Sequence, residues 1–361
     1  MSPITQPATS EPDAAGEGFE LYFGGPDRPP RRLRNVLKVL VDAQPAGGAF
    51  DWVTYYFRDL DLARSLIAAS ARGVRVRLLV ERETRSPHVN DAVIALLAAD
   101  GLNGGFRVRP KQRFGRLGGH LHTKLYAFSH PKPSVLIGSF NPSGNEPEDP
   151  RIIADIGDQD RGHNLLVRLF DLALVTGARD HARALWRERG VGRMRRFHPK
   201  QNAAVRGTFG DFRFFPRIAP RVLPAFDGAR EIVGAVSHLK PGALTRAAAG
   251  VVRRGGRARL VTHDTERRAP TAMIDQLKSS GVEVSRWRHP EALPMHAKFL
   301  IVEGASGVRA RLGSLNDNPT SVYFNHEIAF ETSDRALSSA LKRRFDEIEA
   351  EALNGEARGL R

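Results

Sequence analysis

The chain of 361 residues contains no cysteine, which removes disulfide bridges, thiolate nucleophiles and thiolate-built zinc sites. It also lacks any long apolar run. The longest, such as Ala92 to Ala99, fall far short of the ~20 residues that span a bilayer. The opening MSPITQPATSEPDAAGEG has no basic start and no apolar stretch, so it does not read as a secretory signal. A disordered tail over residues 1–17 and a soluble, cytoplasmic protein are expected. Aromatic residues are sparse at 7%, which gives a base-stacking surface little support. Acidic residues are outnumbered: 40 Asp and Glu against 55 Lys and Arg leave a net charge of +15. Such a chain attracts polyanions, whether nucleic acid, anionic lipid surfaces or phosphorylated small molecules. Most of the excess is Arg, which binds phosphate bidentately, although an Arg-rich and Ala-rich composition also follows from coding bias.

What is present is one unit written twice. RGVRVRLLV, Arg72 to Val80, matches RGGRARLVT, Arg254 to Thr262, and a repeat of this length points to a duplicated architecture. In the first copy AFDWVTYYF reads as a strand, DLDLARSLIAASAR as a helix, VRVRLLVE as a strand, HVNDAVIALLAAD as a helix and FRVRP as a strand. EIVGAVSHL, PGALTRAAAGVVRR, ARLVTHD, PTAMIDQLKSSG and VEVSRW repeat the order in the second. Alternating strands and helices predict an α/β fold with a mixed or largely parallel sheet covered by helices, closed at its edge by a hairpin. The expected division is a first lobe over 18–195, a basic interlobe linker over 196–222, a second lobe over 223–355 and a short tail over 356–361. Within the join, RMRRFHPK reads as a solvated linker rather than a phosphate-binding surface.

Each copy continues with a histidine and a lysine two apart, His122 and Lys124 in HTK and His296 and Lys298 in HAK. Side chains two apart on a strand share a face. A turn follows, SHPKPS in one copy and EGASG in the other, and then a strand ending in GSFN or GSLN. Folded as hairpins, these segments place His122 across from about Asn141 and His296 across from about Asn316. The turn chemistry differs while the interval between His and Asn changes by one residue, so the ends of the hairpins are what is held in place. A lone HxK among 12 histidines would be unremarkable; two copies at matching distance in matching lobes are not.

These residues resemble the phospholipase D superfamily, whose signature is a duplicated HxK followed by GSxN, over residues 18 to 355. The resemblance implies two similar α/β/α sandwich lobes related by pseudo-twofold symmetry, with one active site at their junction. It implies His122, Lys124, Asn141, His296, Lys298, Asn316 and Glu327 as catalytic residues, and Ser139, Ser314 and Asn164 as substrate-binding residues. The common HxKx4D form would place Asp where Ser129 and Glu303 stand. The downstream residue that orients a histidine, often that of the opposite lobe, is Glu327 in NHE and the amide Asn164 in GHN.

The chemistry that follows is phosphodiester cleavage without a cofactor or metal. Lysine and asparagine side chains neutralise the nonbridging oxygens; one histidine attacks phosphorus, and the other protonates the leaving oxygen and then activates water or an alcohol. If Glu327 reaches across to His122, His122 is the better nucleophile and His296 the better acid. His120 could pair with His122 around a metal, but no third ligand is evident. Tyr55, Tyr56, Arg113, Arg116 and Tyr323 are candidates for recognition only. Three functions compete: phospholipid headgroup hydrolysis or phosphatidyl transfer, with peripheral contact to an anionic membrane; a nuclease or DNA-end-processing phosphodiesterase, since HLHTK is weakly similar to tyrosyl-DNA phosphodiesterases; and a catalytically silent phosphate-binding scaffold. Both halves of the site lie in one chain, so a monomer is expected to suffice.

Overall fold

The computed structural model of the protein describes residues 11–114, 117–145, 148–188, 204–216, 226 and 228–357. The first lobe comprises β1 (Ala14–Gly16), β2 (Phe19–Gly24), α1 (Arg32–Asp42), β3 (Ala49–Thr54), α2 (Leu60–Ala71), β4 (Arg75–Glu81), α3 (Asp91–Asp100) and β5 (Phe106–Arg109). It continues with a small hairpin of β6 (Gln112–Phe114) and β7 (Leu117–Gly119), then β8 (Leu125–Phe128), β9 (Ser134–Gly138), α4 (Pro150–Ile156), β10 (Asn164–Leu169) and α5 (Leu172–Arg187). The second comprises β11 (Val205–Arg206), β12 (Asp211–Phe215), β13 (Ala229–Val236), α6 (Ala243–Arg253), β14 (Arg257–His263), α7 (Thr271–Ser279) and β15 (Glu283–Trp287). After these come β16 (Lys298–Gly304), β17 (Gly307–Gly313), α8 (Pro319–Tyr323), β18 (Glu327–Thr332) and α9 (Arg335–Ala357).

Among the described residues each lobe is built on an eight-stranded mixed sheet. The orders, β1-β2-β10-β9-β8-β3-β4-β5 and β11-β12-β18-β17-β16-β13-β14-β15, superpose strand for strand, as the duplication requires. The HxK and GSxN hairpins occupy the middle of their sheets, not the edge expected from the sequence. Their strands are the reason: LYAF and SVLIG are buried at every position, which suits strands covered on both faces. Three further strands, β10, β2 and β1, complete the sheet beyond β9.

Two expected boundaries are corrected. Residues 14–16 of the supposed tail pair antiparallel with β2, and Asp13 accepts from the Phe23 amide and from Arg28 and Arg32. Residues 205–215 of the supposed linker form β11 and β12, and β12 pairs with β18 along five residues, because DFRFF alternates buried and half-buried side chains as a sheet strand does. The RMRRFHPK stretch and Arg116 lie outside the described residues.

The two lobes share one core. Apolar positions of α5 (Leu174, Val175, Ala178, Ala182, Leu185) and α9 (Leu337, Leu341, Phe345, Ile348) pack with the inner faces of both sheets, each helix showing the three-to-four residue apolar spacing of a buried stripe. The outer faces carry separate layers, α1 to α3 over the first sheet and α6 and α7 over the second. Asp51, buried in β3, ties α5 to the sheet by accepting from Arg179 Nε at 2.9 Å and by pairing with Arg77. Both junction helices are therefore fixed against the strands that lead into the site.

Candidate active site

The lobes meet at two short parallel bridges, Leu121 with His326 and His163 with Met295. In one, the His326 amide donates to the His120 carbonyl at 2.9 Å; in the other, the His296 amide donates to the His163 carbonyl at 2.9 Å. The approach to each HxK motif is thus zipped to the start of the opposite lobe's downstream strand. That pairing places Glu327 beside His122 and Asn164 beside His296.

Hydrogen-bond accounting then fixes the rings. The Ser314 hydroxyl accepts from the Ile328 amide and donates to Glu327 Oε2 at 2.6 Å. Asn325 donates to Oε1, and His122 Nδ1 lies 2.8 Å from Oε2. An ionised carboxylate only accepts, so Nδ1 carries the proton and Nε2 keeps its lone pair. The other lobe repeats the pattern with an amide. Ser139 accepts from the Leu165 amide and donates to Asn164 Oδ1 at 2.9 Å. The Asn164 NH2 donates to the Gln159 carbonyl at 2.7 Å. Its Oδ1 is left as the acceptor for His296 Nδ1 at 2.9 Å.

Ser139, Ser314 and Asn164 were expected to bind substrate; here Ser139 and Ser314 hold Asn164 and Glu327, and Asn164 in turn meets His296. Asn141 is fully buried, donating to Gln159 Oε1 at 2.9 Å and accepting from the Tyr56 amide at 3.3 Å. Asn316 is 6% exposed and its Oδ1 has no partner. Lys124 and Lys298 each donate to the carbonyl of their own histidine, at 2.9 and 2.7 Å. Ser129, where the signature would have Asp, accepts from the Ala49 amide in the hairpin turn, and Glu303 is exposed.

The glycines of the two GSxN motifs have a steric origin. A Cβ on Gly138 would overlap the Leu165 carbonyl oxygen, and one on Gly313 the Ile328 carbonyl oxygen. Only glycine lets the strand ends approach closely enough for the following serine to reach its partner.

Burial sets the electrostatics. Both HxK histidines are held well below the ordinary imidazole range, first by desolvation and then by the two lysines, so they stay neutral. Lys124 is lowered to about 7 by burial, and Lys298 is held well below the ordinary lysine range by burial and then by Lys124. Burial raises Glu327 to about 7, offset in part by Lys124 and by its hydrogen bonds. The site therefore holds two neutral imidazoles protonated at Nδ1, beside two buried lysines whose ammonium forms a bound anion would favour. Such a site can pass a phosphoryl group through a histidine.

Among the groups that line this junction, Tyr55 and His120 were sequence candidates for other roles, and His163 and Glu81 were missed. Tyr55 packs its ring 5.0 Å from that of His122 and beneath the Lys124 ammonium. His163 is gripped by Arg344 and Glu351 of α9, fixing the strand that carries Asn164. Glu81 accepts from the Leu121 amide at 2.7 Å and braces the approach to His122. His120 Nδ1 is buried without a hydrogen-bond partner, and no group of three or more His, Asp or Glu among the described residues is arranged to hold a metal ion. A signal existed for the tyrosine, which directly follows the first parallel strand; none existed for the distant α9 contacts. Tyr323 is exposed in α8.

The family model for the cardiolipin synthase, PLD-like domain matches residues 40–146 and 228–349, once in each lobe and over more than half the chain. The chain belongs to the phospholipase D superfamily. Superfamily members are phosphodiesterases and phosphotransferases. Among solved structures, this phospholipase D-like chain is similar to phosphatidylserine synthase from Haemophilus influenzae, with a TM-score of 0.65 and 10% identity over 93% of this chain and 87% of that one. It is also similar to polyphosphate kinase from Porphyromonas gingivalis, with a TM-score of 0.60 and 12% identity over 91% of this chain. The chain spans half the length of that kinase. At these identities the likeness is one of fold. No curated protein matches the chain.

Proposed function

We propose that the protein is a metal-independent phosphodiesterase that works through a phosphohistidine, acting on phospholipid headgroups by hydrolysis or phosphatidyl transfer. The observation that carries this reading is the crossed pair of acceptors, Glu327 on His122 and Asn164 on His296. His122 Nε2 attacks phosphorus, and the bond to the leaving oxygen breaks as that oxygen takes a proton. His296, charged as the imidazolium once the substrate's phosphate anion lies beside it, supplies that proton from Nε2; now neutral, it removes one from water or an acceptor alcohol, whose oxygen displaces His122. Lys124 and Lys298 hold the nonbridging oxygens throughout. His122 is the nucleophile because the charge its ring gains on attack faces a carboxylate, while His296 faces only an amide. The family match to a cardiolipin synthase domain supports a lipid substrate, and the excess of basic residues supports peripheral contact with an anionic membrane. One chain carries both halves of the site, which supports a monomeric enzyme.

A polynucleotide substrate is the second reading. It is supported by a surface cavity of about 310 Å³ lined by Arg77, Arg107, Arg183, Trp186 and Arg187, where the Arg107 guanidinium stacks on Trp186. The test is turnover in EDTA of bis-p-nitrophenyl phosphate, phospholipids, and single- and double-stranded DNA, with His122→Ala and His296→Ala as controls. Lipid turnover lost in both variants is expected. Cleavage of DNA alone would overturn the lipid assignment, and turnover retained in both variants would overturn the mechanism.

A further inference from the structure

Past the carboxyl end of β14 the chain places a buried arginine with no partner for much of its guanidinium. Arg268 is 5% exposed, and its Nε and Nη1 make no hydrogen bond. Its position is fixed by backbone contacts that lead directly to the catalytic motif. Val236 is the register partner of Lys298, the Ser237 amide donates to the Ala297 carbonyl at 3.1 Å, and the Leu239 amide donates to the Arg268 carbonyl at 3.0 Å. Arg268 therefore lies beside the HAK strand, and its charge acts on His296, Lys298 and His238. His238 Nδ1, in the same neighbourhood, is also buried without a partner.

A buried cation with unsatisfied donors is costly, and among the described residues no carboxylate forms an ion pair with this one, Asp264 acting on its charge only from a distance. The nearest acid in sequence, Glu266, accepts from Thr271 and lies 3.6 Å from Arg286, and the next, Asp264, is 2.7 Å from His263. The duplication sharpens the point. In the register that matches Arg72–Val80 to Arg254–Thr262, Arg267 corresponds to Arg85, and both are exposed at the rim; their charges act on one another across the lobe junction. Arg268 corresponds to Ser86, whose carbonyl accepts from the Thr84 hydroxyl. The rim arginine is symmetric and the buried arginine is not. Binding the reacting phosphate alone would need no such asymmetry.

We propose that Arg268, with His238 beside it and Arg267 and Arg85 at the rim, forms a second anion subsite on the His296 side of the catalytic centre, so that the substrate carries a second phosphate next to the one that reacts. This inference rests on the phosphodiester reading of the same site. Two sources share the chemistry: phosphates joined through one bridging oxygen, and phosphates spaced along a carbon chain.

The experiment is calorimetric titration of the full chain with orthophosphate, inorganic pyrophosphate and propane-1,3-diol bisphosphate, none of which is a diester that the enzyme could cleave. Wild type, Arg268→Gln and Arg268→Lys are compared, with thermal melts of each. At least one two-phosphate probe is expected to bind about tenfold or more tightly than orthophosphate, as one further charge-assisted contact provides. Arg268→Gln should erase that preference while leaving orthophosphate binding within about threefold, Arg268→Lys should keep part of it, and Arg268→Gln should melt no lower than wild type because it removes an uncompensated buried charge. The stronger probe names the source. Absence of any preference in wild type, an equal loss for all three ligands, or no change in Arg268→Gln would overturn the subsite. Turnover of bis-p-nitrophenyl phosphate by wild type is measured alongside: a phosphate preference without turnover overturns the catalytic reading, and turnover without the preference overturns the subsite alone.

Discussion

Replacing Glu327 with Gln removes a charge and leaves an acceptor in place. The carboxylate accepts from Ser314 at 2.6 Å and holds His122 Nδ1 at 2.8 Å, and a carboxamide oxygen can accept from both, so the ring keeps its orientation and tautomer. What disappears is the interaction with the positive charge that develops on the His122 ring as Nε2 bonds to phosphorus. A hydrogen bond to a charged group is worth about 1.5–3 kcal/mol against about 0.5–1.5 kcal/mol for a neutral one, a difference of about 1–2 kcal/mol. Coulomb attraction at ~4 Å with an effective dielectric of ~20 sets an upper figure of about 4 kcal/mol. Between these limits the expected loss is about 3 kcal/mol, or roughly a hundredfold in rate. The assay is stopped-flow release of the first p-nitrophenolate from bis-p-nitrophenyl phosphate, with alkaline-quenched protein weighed for the covalent adduct. Glu327→Gln should slow the burst roughly a hundredfold at unchanged amplitude. A burst rate within about threefold of wild type would refute the reasoning, because the carboxylate would then be no better a partner than the amide that already serves His296.

His296→Asn should separate the two chemical steps: p-nitrophenolate leaves without a proton, so a stoichiometric burst and a trapped adduct on His122 are expected with turnover reduced by about 10²-fold or more, and an adduct on residue 122's partner in wild type, or no burst in the variant, would reverse the assignment. The pH profile of kcat/KM should be a bell centred near 7, since Glu327, raised to about 7, loses its charge below that value, and Lys124, lowered to about 7, loses its charge above it. The histidines, held well below the usual range, set neither limb; an acid limb unchanged in Glu327→Gln would contradict this. Bound phosphate favours the lysine ammonium, so the alkaline limb of kcat should lie at higher pH than that of kcat/KM. Gly138→Ala should destabilise the fold by about 1–3 kcal/mol or more through overlap with the Leu165 carbonyl, read as a lower denaturation midpoint, and a midpoint equal to wild type would show that the strand ends can separate.

Much of the site was legible because it is written locally and twice. HTK with GSFN, and HAK with GSLN, declare a pair of hairpins, and a two-residue spacing on a strand dictates which side chains share a face. The same periodic signals placed the strands and helices that alternate through both lobes, since burial on one face or two imposes its pattern directly on neighbouring residues. Tertiary structure alone decided what depends on contacts distant in sequence. The hairpins sit in the middle of their sheets because β2 and β12 return from far up the chain to pair with β10 and β18, and the short segments 14–16 and 205–206 became strands because a partner edge was there. Ser139 and Ser314 turned out to hold Asn164 and Glu327, a distinction that hydrogen-bond geometry makes and spacing does not. Arg268 looked like one more arginine in a basic chain; its meaning comes from the loss of water around it, because only burial turns an ordinary solvated cation into a group that requires a counter-charge.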